Sequence, residues 1–201
     1  MNITIQKLKE VILKKNYKWF ENQINLIGIR TKLQVPDVFN DLLFLVYKNE
    51  KGEEVMFTTT YTTEPGVYYQ KHLLNPKGCW VMMPNQMIDA YKLGLHQGKA
   101  DHKCLKSVGK IYGLREDDKD GIVLNDKDAI ASWVEGNTVG ANFHGAKKLI
   151  DLTEIVGQNS AGCQVINRWS KKEEVCAIAK LYEKVNNGLI TYTLLTEQDF
   201  I

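Results

Sequence analysis

Residues 42–60 read LLFLVYKNEKGEEVMFTTT, and this stretch decides the class of fold. Its first half is an apolar run of strand length, and its second half is rich in β-branched residues. Asn49-Glu50-Lys51-Gly52 between them is a turn signal, so the stretch predicts a hairpin. Outward from it, residues 24–30 (INLIGIR) predict a further strand upstream, and residues 189–195 (LITYTLL) a last one. Residues 108–114 and 122–124 predict short strands around an acidic loop, and residues 138–144 (TVGANFH) a strand ending at a turn.

Helical signals lie at the edges. Ile5, Leu8, Val11 and Ile12 recur at helical spacing among Lys and Glu, which predicts an amphipathic N-terminal helix within about residues 4–20. Met83-Pro84-Asn85 predicts a short helix through Tyr91, with Asn85 as its cap and residues 94–98 as its break. Ser170-Lys171-Lys172-Glu173 fits a capping box, with the helix behind it running to Val185 and closed by Asn186-Asn187-Gly188. The expectation is a single domain over residues 1–201. It is mainly β with peripheral helices (α+β), and a helix plus strand fills about 170–196.

Composition narrows the function classes. Hydrophobic residues make up 44% of the 201 and charged residues 25%, a globular balance that leaves disorder and collagen aside. A net charge of +2 and only three arginines, none clustered, give no electrostatic footprint for nucleic acid. Lys7, Lys9 and Glu10 interrupt the only apolar N-terminal stretch, so neither a signal peptide nor membrane insertion is expected. The expectation is synthesis and folding in a cytoplasm, with any extracellular work needing another export route. Cys79, Cys104, Cys163 and Cys176 form no CxxC pair, so free thiols are expected, with no metal and no cofactor.

The chemistry-bearing stretch is Ser160-Ala161-Gly162-Cys163-Gln164. A cysteine between small residues is either a compact core residue or a nucleophile. A nucleophile needs a base and donors for the developing oxyanion. His144 is the candidate base, since it ends a small-residue strand and lies nineteen positions before Cys163, enough chain for a loop and return. Gly162, Ser160 and Gly145 are the candidate oxyanion and backbone supports, and a catalytic Cys163 is expected to be an unusually reactive thiolate.

Phe143-His144-Gly145-Ala146, Val156-Gly157 and Ser160-Ala161-Gly162-Cys163, in that order, resemble the active-site signature of the L,D-transpeptidase (YkuD-like) family. Thr62-Thr63-Glu64-Pro65-Gly66-Val67-Tyr68 is similar to that family's upstream strand. A closer resemblance is to a set of phage and prophage proteins. It rests on residues 25–30, 94–99, 116–120 and 160–164 and covers roughly residues 17 to 170. The chain departs from the family where Ala161 replaces a His and Gln164-Val165 replace an apolar-Arg pair.

The resemblance implies a YkuD-like β-sandwich or barrel-like catalytic domain. It implies that Cys163 attacks a carbonyl of a peptidoglycan stem peptide, and that His144, steered by a backbone carbonyl near Gly145, moves the proton. Hydrolysis by a phage-derived cell-wall peptidase (an endolysin) and L,D-transpeptidation both remain open. So does a non-catalytic virion or wall-binding protein with virion partners. A cysteine amidase or acyltransferase on another substrate is a further alternative.

Four more residues are candidates for substrate binding: His96, Gln164, Tyr68 and Trp169. Trp80 and Trp133 could extend an aromatic platform, or could simply pack. His72 and His102 read as surface residues. Glu116, Asp118 and Asp120 alternate before Gly121 in the manner of calcium ligands, but the twelfth-position Glu of an EF-hand is missing, so the run reads as a solvated acidic turn.

Overall fold

Every residue of the first strand, β1 (Asn25–Arg30), is buried, because both of its faces are covered. Leu26 faces an interior apolar cluster, while Ile27 and Ile29 pack outward under Leu8, Val11 and Ile12 of helix α1 (Ile5–Lys14). Thr4 caps α1 by accepting a hydrogen bond from the Lys7 amide. The computed structural model describes residues 2–31, 37–116, 134–135 and 140–201.

The predicted hairpin is β2 (Asp41–Lys48) and β3 (Glu54–Thr62), in register from Asp41↔Tyr61 to Lys48↔Glu54. After helix α2 (Val67–Lys71) come β4 (Cys79–Met82), β5 (Asn85–Leu95), β6 (Lys103–Ser107) and β7 (Tyr112–Glu116). The chain then contributes β8 (Val134–Glu135), β9 (Phe143–Gly145), β10 (Gln164–Ile166), helix α3 (Trp169–Leu181) and β11 (Leu189–Thr196). Eight strands close a barrel in the order β1-β11-β5-β6-β9-β10-β3-β2, and β4-β7-β8 form a second, three-stranded sheet. The protein is thus mainly β with few helices, and closure removes the barrel's edges. Among the described residues, no helix is long and apolar enough to cross a membrane.

The barrel is filled by aromatic rings. Tyr61, Tyr91, Phe143 and Tyr192 are all buried, and the Tyr61 and Tyr192 hydroxyls are hydrogen-bonded at 2.8 Å. Gly28 makes room for that pair, since a Cβ there would lie 1.9 Å from Tyr61 Oη and 2.3 Å from Tyr192 Oη. At one end, Arg30 donates from Nε to Thr63 Oγ1 (2.7 Å) and from Nη2 to Met82 O (2.8 Å). Thr63 in turn donates its amide and hydroxyl to Asp41. This network fixes the chain leaving β3, whose Gly66 amide donates to Ser160 O.

Several expectations need correction. The helix predicted from Asn85 is strand β5, paired with β11 on one side and β6 on the other. Asn85 accepts from its neighbour Gln86 instead of capping a helix. The N-terminal helix stops at Lys14, and strand β3 ends at Thr62, so Val67 and Tyr68 begin a helix. Residues 108–111 are loop, and the strand starts at Tyr112. The Ser170–Glu173 capping box does not form. Helix α3 starts at Trp169, and Asp151 caps it from outside, accepting from the Trp169 amide through its carbonyl and from the Ser170 amide through its carboxylate. It ends at Leu181, and Asn186 and Asn187 adopt left-handed φ in a separate turn. The predicted strand 122–124, Asp118, Asp120 and Trp133 lie outside the described residues, as does the start of the predicted strand 138–144.

Candidate functional site

Strands β9 and β10 run side by side and parallel, with His144 opposite Val165 and Gln164 opposite Phe143. Parallel neighbours require a crossover. The stretch between His144 and Cys163 supplies it, including a short 3-10 turn at Gly157–Asn159. Cys163 immediately precedes β10, two residues before the Val165 that pairs with His144. Both residues line one cavity of about 700 Å³, together with Tyr69, Trp80, His96, His102, Arg115 and Trp169.

His144 is 5% exposed, and its Nδ1 lies 2.9 Å from Gly145 O. A carbonyl only accepts, so Nδ1 carries the hydrogen and the neutral ring keeps its lone pair on Nε2. Burial is the main cause that pushes the His144 pKa down to about 3. His96 adds to it, the Gly145 hydrogen bond opposes it, and His102 and Lys172 add further. Burial pushes the Cys163 thiol up to about 11, against a backbone hydrogen bond from Asn142. Burial thus disfavours the charged form of each group, which favours neutral thiol and neutral imidazole at rest. Sγ donates to Gly140 O at 3.5 Å, and among the described residues no hydrogen bond joins Cys163 to His144.

The loop before Cys163 is held by its own small residues. Ser160 is fully buried, donates to Cys163 O (2.8 Å) and accepts from the Gly162 amide (3.2 Å). Gly162 has φ +121°, and a Cβ there would lie 2.6 Å from Trp80 O, so the loop seats directly on β4. That leaves the Cys163 amide as the one of the two with no hydrogen-bond partner among the described residues.

Three histidines pack together on one wall. The His96 ring is centred 4.1 Å from His144 and 4.8 Å from His102, and His102 lies 4.8 Å from Trp169. The turn between β5 and β6 sets this up: the His96 amide donates to His102 O, and the Lys99 amide donates to His96 O. His96 Nδ1 and His102 Nε2 are buried, with no hydrogen-bond partner among the described residues. Burial lowers both pKa values, that of His102 to about 4. Behind Trp169, the buried Lys172 holds its Nζ 3.8 Å from the ring centroid. Among the described residues, no group of three or more His, Cys, Asp or Glu side chains is arranged to hold a metal ion. All four cysteines are thiols and not disulfides, and Cys79 Sγ donates to Tyr69 O at 3.0 Å.

Of the residues singled out from sequence, Cys163, His144, Gly162, His96 and Trp169 line the cavity, with Ser160 and Gly145 directly behind it. Two lie elsewhere. Gln164 is buried within the barrel, where it accepts from Tyr192 Oη (3.3 Å). Tyr68 is exposed and stacks on the exposed His72, while the next residue, Tyr69, faces the cavity. His102, read from sequence as a surface residue, is half-buried in the histidine wall. Its signal was its position at the far end of the same turn as His96. Arg115 and Lys99 also went unnoticed, since each is an isolated cation in sequence. Comparison with protein-family models, curated proteins and solved structures finds no match to this chain.

Proposed function

We propose that the protein is a cysteine-dependent acyl-transfer enzyme of L,D-transpeptidase (YkuD-like) type acting on peptidoglycan stem peptides. The observation that carries this reading is that Cys163 and His144 line one cavity, with His144 Nδ1 tied to Gly145 O and Nε2 left to accept a proton. The sequence resemblance to that family, and to phage and prophage proteins, supplies the substrate and favours cleavage over transfer.

The chemistry starts from the neutral pair. As Sγ attacks the amide carbonyl, its proton moves from sulfur to His144 Nε2, and the C–S bond forms. The carbonyl oxygen takes the negative charge, and the Cys163 amide is the candidate donor for it. Collapse breaks the C–N bond, and the imidazolium delivers its proton to the leaving amine. The thioester is then released to water, giving hydrolysis, or to an acceptor amine, giving a new peptide bond.

A second reading keeps the fold without turnover, as a virion or wall-binding protein. The raised thiol pKa favours it, as does the absence, among the described residues, of a Cys163–His144 hydrogen bond. Digestion of purified peptidoglycan, followed by mass spectrometry, separates the two. Cleaved or exchanged stem peptides from wild type, absent with Cys163→Ala and His144→Ala, are expected from the enzyme. No product from reduced wild type on several wall chemistries would leave the binding reading standing.

A further inference from the structure

The stretch between His144 and Cys163 carries the chain back from β9 to the start of β10 and has to deliver Sγ to one place. Its turning point is pinned by a residue from far upstream. Asp37 Oδ1 accepts the Gly157 amide at 2.8 Å and the Val67 amide at 3.0 Å. Its main-chain carbonyl accepts the Val156 amide at 3.0 Å, and the next residue, Val38, forms a bridge with Ile155. One aspartate thus holds the crossover by two successive amides and the first residue of α2 by a third. None of these amides belongs to a barrel strand, so the clamp serves the cavity and not the closure of the sheet.

The surroundings leave the clamp little play. Asp37 takes a left-handed φ of +68°, where Asp and Asn are the usual residues after glycine. Gly157 is left-handed too, at φ +48°, and its carbonyl presses on Gly66, where a Cβ would lie 1.9 Å from Gly157 O. The Gly66 amide donates to Ser160 O, and Ser160 holds the Cys163 carbonyl. Two residues beyond Asp37, Phe39 is buried with Val156 and Val165 in the small apolar cluster against which Cys163 packs. Helix α2 carries Tyr69 into the cavity wall. The Asp37 carboxylate therefore joins the loop that carries the thiol to the helix that carries part of the wall.

We infer that Asp37 is a positioning residue for Cys163, its carboxylate setting where the nucleophile loop sits against α2. This rests on the acyl-transfer reading for the reaction, but not for the placement of the thiol.

The test compares Asp37→Gly with Asp37→Asn in the full chain. Glycine takes the left-handed φ but removes the oxygen, whereas asparagine takes it and keeps Oδ1. Alkylation by iodoacetamide at pH 8, followed by peptide mass spectrometry, reads each cysteine separately. Burial holds the wild-type Cys163 thiol up at about 11, and a loosened loop admits water, which lowers it. Asp37→Gly should therefore alkylate Cys163 about ten-fold faster for each unit of that fall, while Cys104 and Cys176, buried on β6 and α3, stay slow. Asp37→Asn should stay near the wild-type rate. Product release from purified peptidoglycan should fall about a hundred-fold in Asp37→Gly, as when a reacting group is misplaced by about 1 Å, and should be largely kept by Asp37→Asn. An unchanged Cys163 rate in Asp37→Gly overturns the inference. So does acceleration of Cys104, Cys163 and Cys176 together, which would make Asp37 a residue of global folding, and so does an Asp37→Asn variant that behaves like Asp37→Gly. If the thiol rates follow expectation but wild type releases no product, the hold of Asp37 on Cys163 stands and the acyl-transfer reading fails.

Discussion

The imidazole of His96 lies over that of His144, with 4.1 Å between ring centroids and 31° between planes. The stacked ring keeps water from the proposed base and, when charged, repels its protonated form, so both effects hold His144 neutral. Replacing His96 with Asn opens that face. The His144 pKa should then rise from about 3 toward the ordinary histidine range. An NMR titration of the His144 ring proton reads the change directly. A His144 pKa unmoved in His96→Asn would show that the rest of the pocket, not His96, keeps it neutral.

The neutral pair also fixes how Cys163 responds to pH. With the thiol pushed up to about 11, only about one molecule in ten thousand carries the thiolate at pH 7. Alkylation of Cys163 by iodoacetamide, followed by peptide mass spectrometry, should accelerate about ten-fold per pH unit from 7 to 10. A plateau already reached near neutrality would mean a preformed thiolate–imidazolium pair and would count against general-base activation by His144.

Ser160 is a structural staple of the nucleophile loop. Ser160→Ala leaves the Gly162 amide without its acceptor and the Cys163 carbonyl without its donor. A loss of about 1–3 kcal/mol in unfolding free energy is expected, together with reduced Cys163-dependent turnover. Gly162→Ala should be worse, because its Cβ meets Trp80 at a φ of +121°. Denaturant melts of both variants check the order, and equal stability would remove the close seating on β4 from the account.

The sequence revealed some elements and hid others for physical reasons. The hairpin of β2 and β3 was legible because its turn and its two runs agree locally. β5 was not. Asp89 takes a left-handed φ of +53°, and the pairing with β11 shifts register between Ile190 and Tyr192. The bulge changes the strand's parity, so Met87, Ala90 and Tyr91 are its buried residues, at spacings that imitate a helix. The capping box was misread because Asp151, seventeen residues before Arg168, supplies the cap from a distant loop. Cys163 and His144 could be read as a candidate pair from their separation. The histidine wall could not, since it depends on a turn that folds His102 back beside His96.

Glu64 links stability to pH. Burial pushes its pKa up to about 7, against the pull of Arg30, whose Nε is 4.0 Å away. A carboxyl with a raised folded pKa binds its proton more tightly in the native state. Its contribution is therefore fully present below about 4.5 and is lost as pH rises through about 7. Glu64→Gln is locked in the neutral form. It should melt at the same temperature as wild type at pH 4 and a few degrees higher at pH 8, by scanning calorimetry. A melting difference that does not change with pH would remove Glu64 titration from the explanation.

Gly28 gives the sharpest test of the barrel interior. A methyl group there would lie 1.9 Å from Tyr61 Oη and 2.3 Å from Tyr192 Oη, and both hydroxyls are held by their mutual bond among buried rings. Gly28→Ala should therefore cost about 1–3 kcal/mol, since both rings are buried and packed against neighbouring rings. Tyr61→Phe alone leaves Tyr192 Oη with only its longer contact to Gln164 Oε1 (3.3 Å) and should also destabilise. The two changes together remove the shortest clash, so the double variant should be more stable than the sum of the single losses predicts. A double-mutant cycle from urea melts measures that coupling. Simple additivity would mean that Gly28 is required by something other than the tyrosine pair.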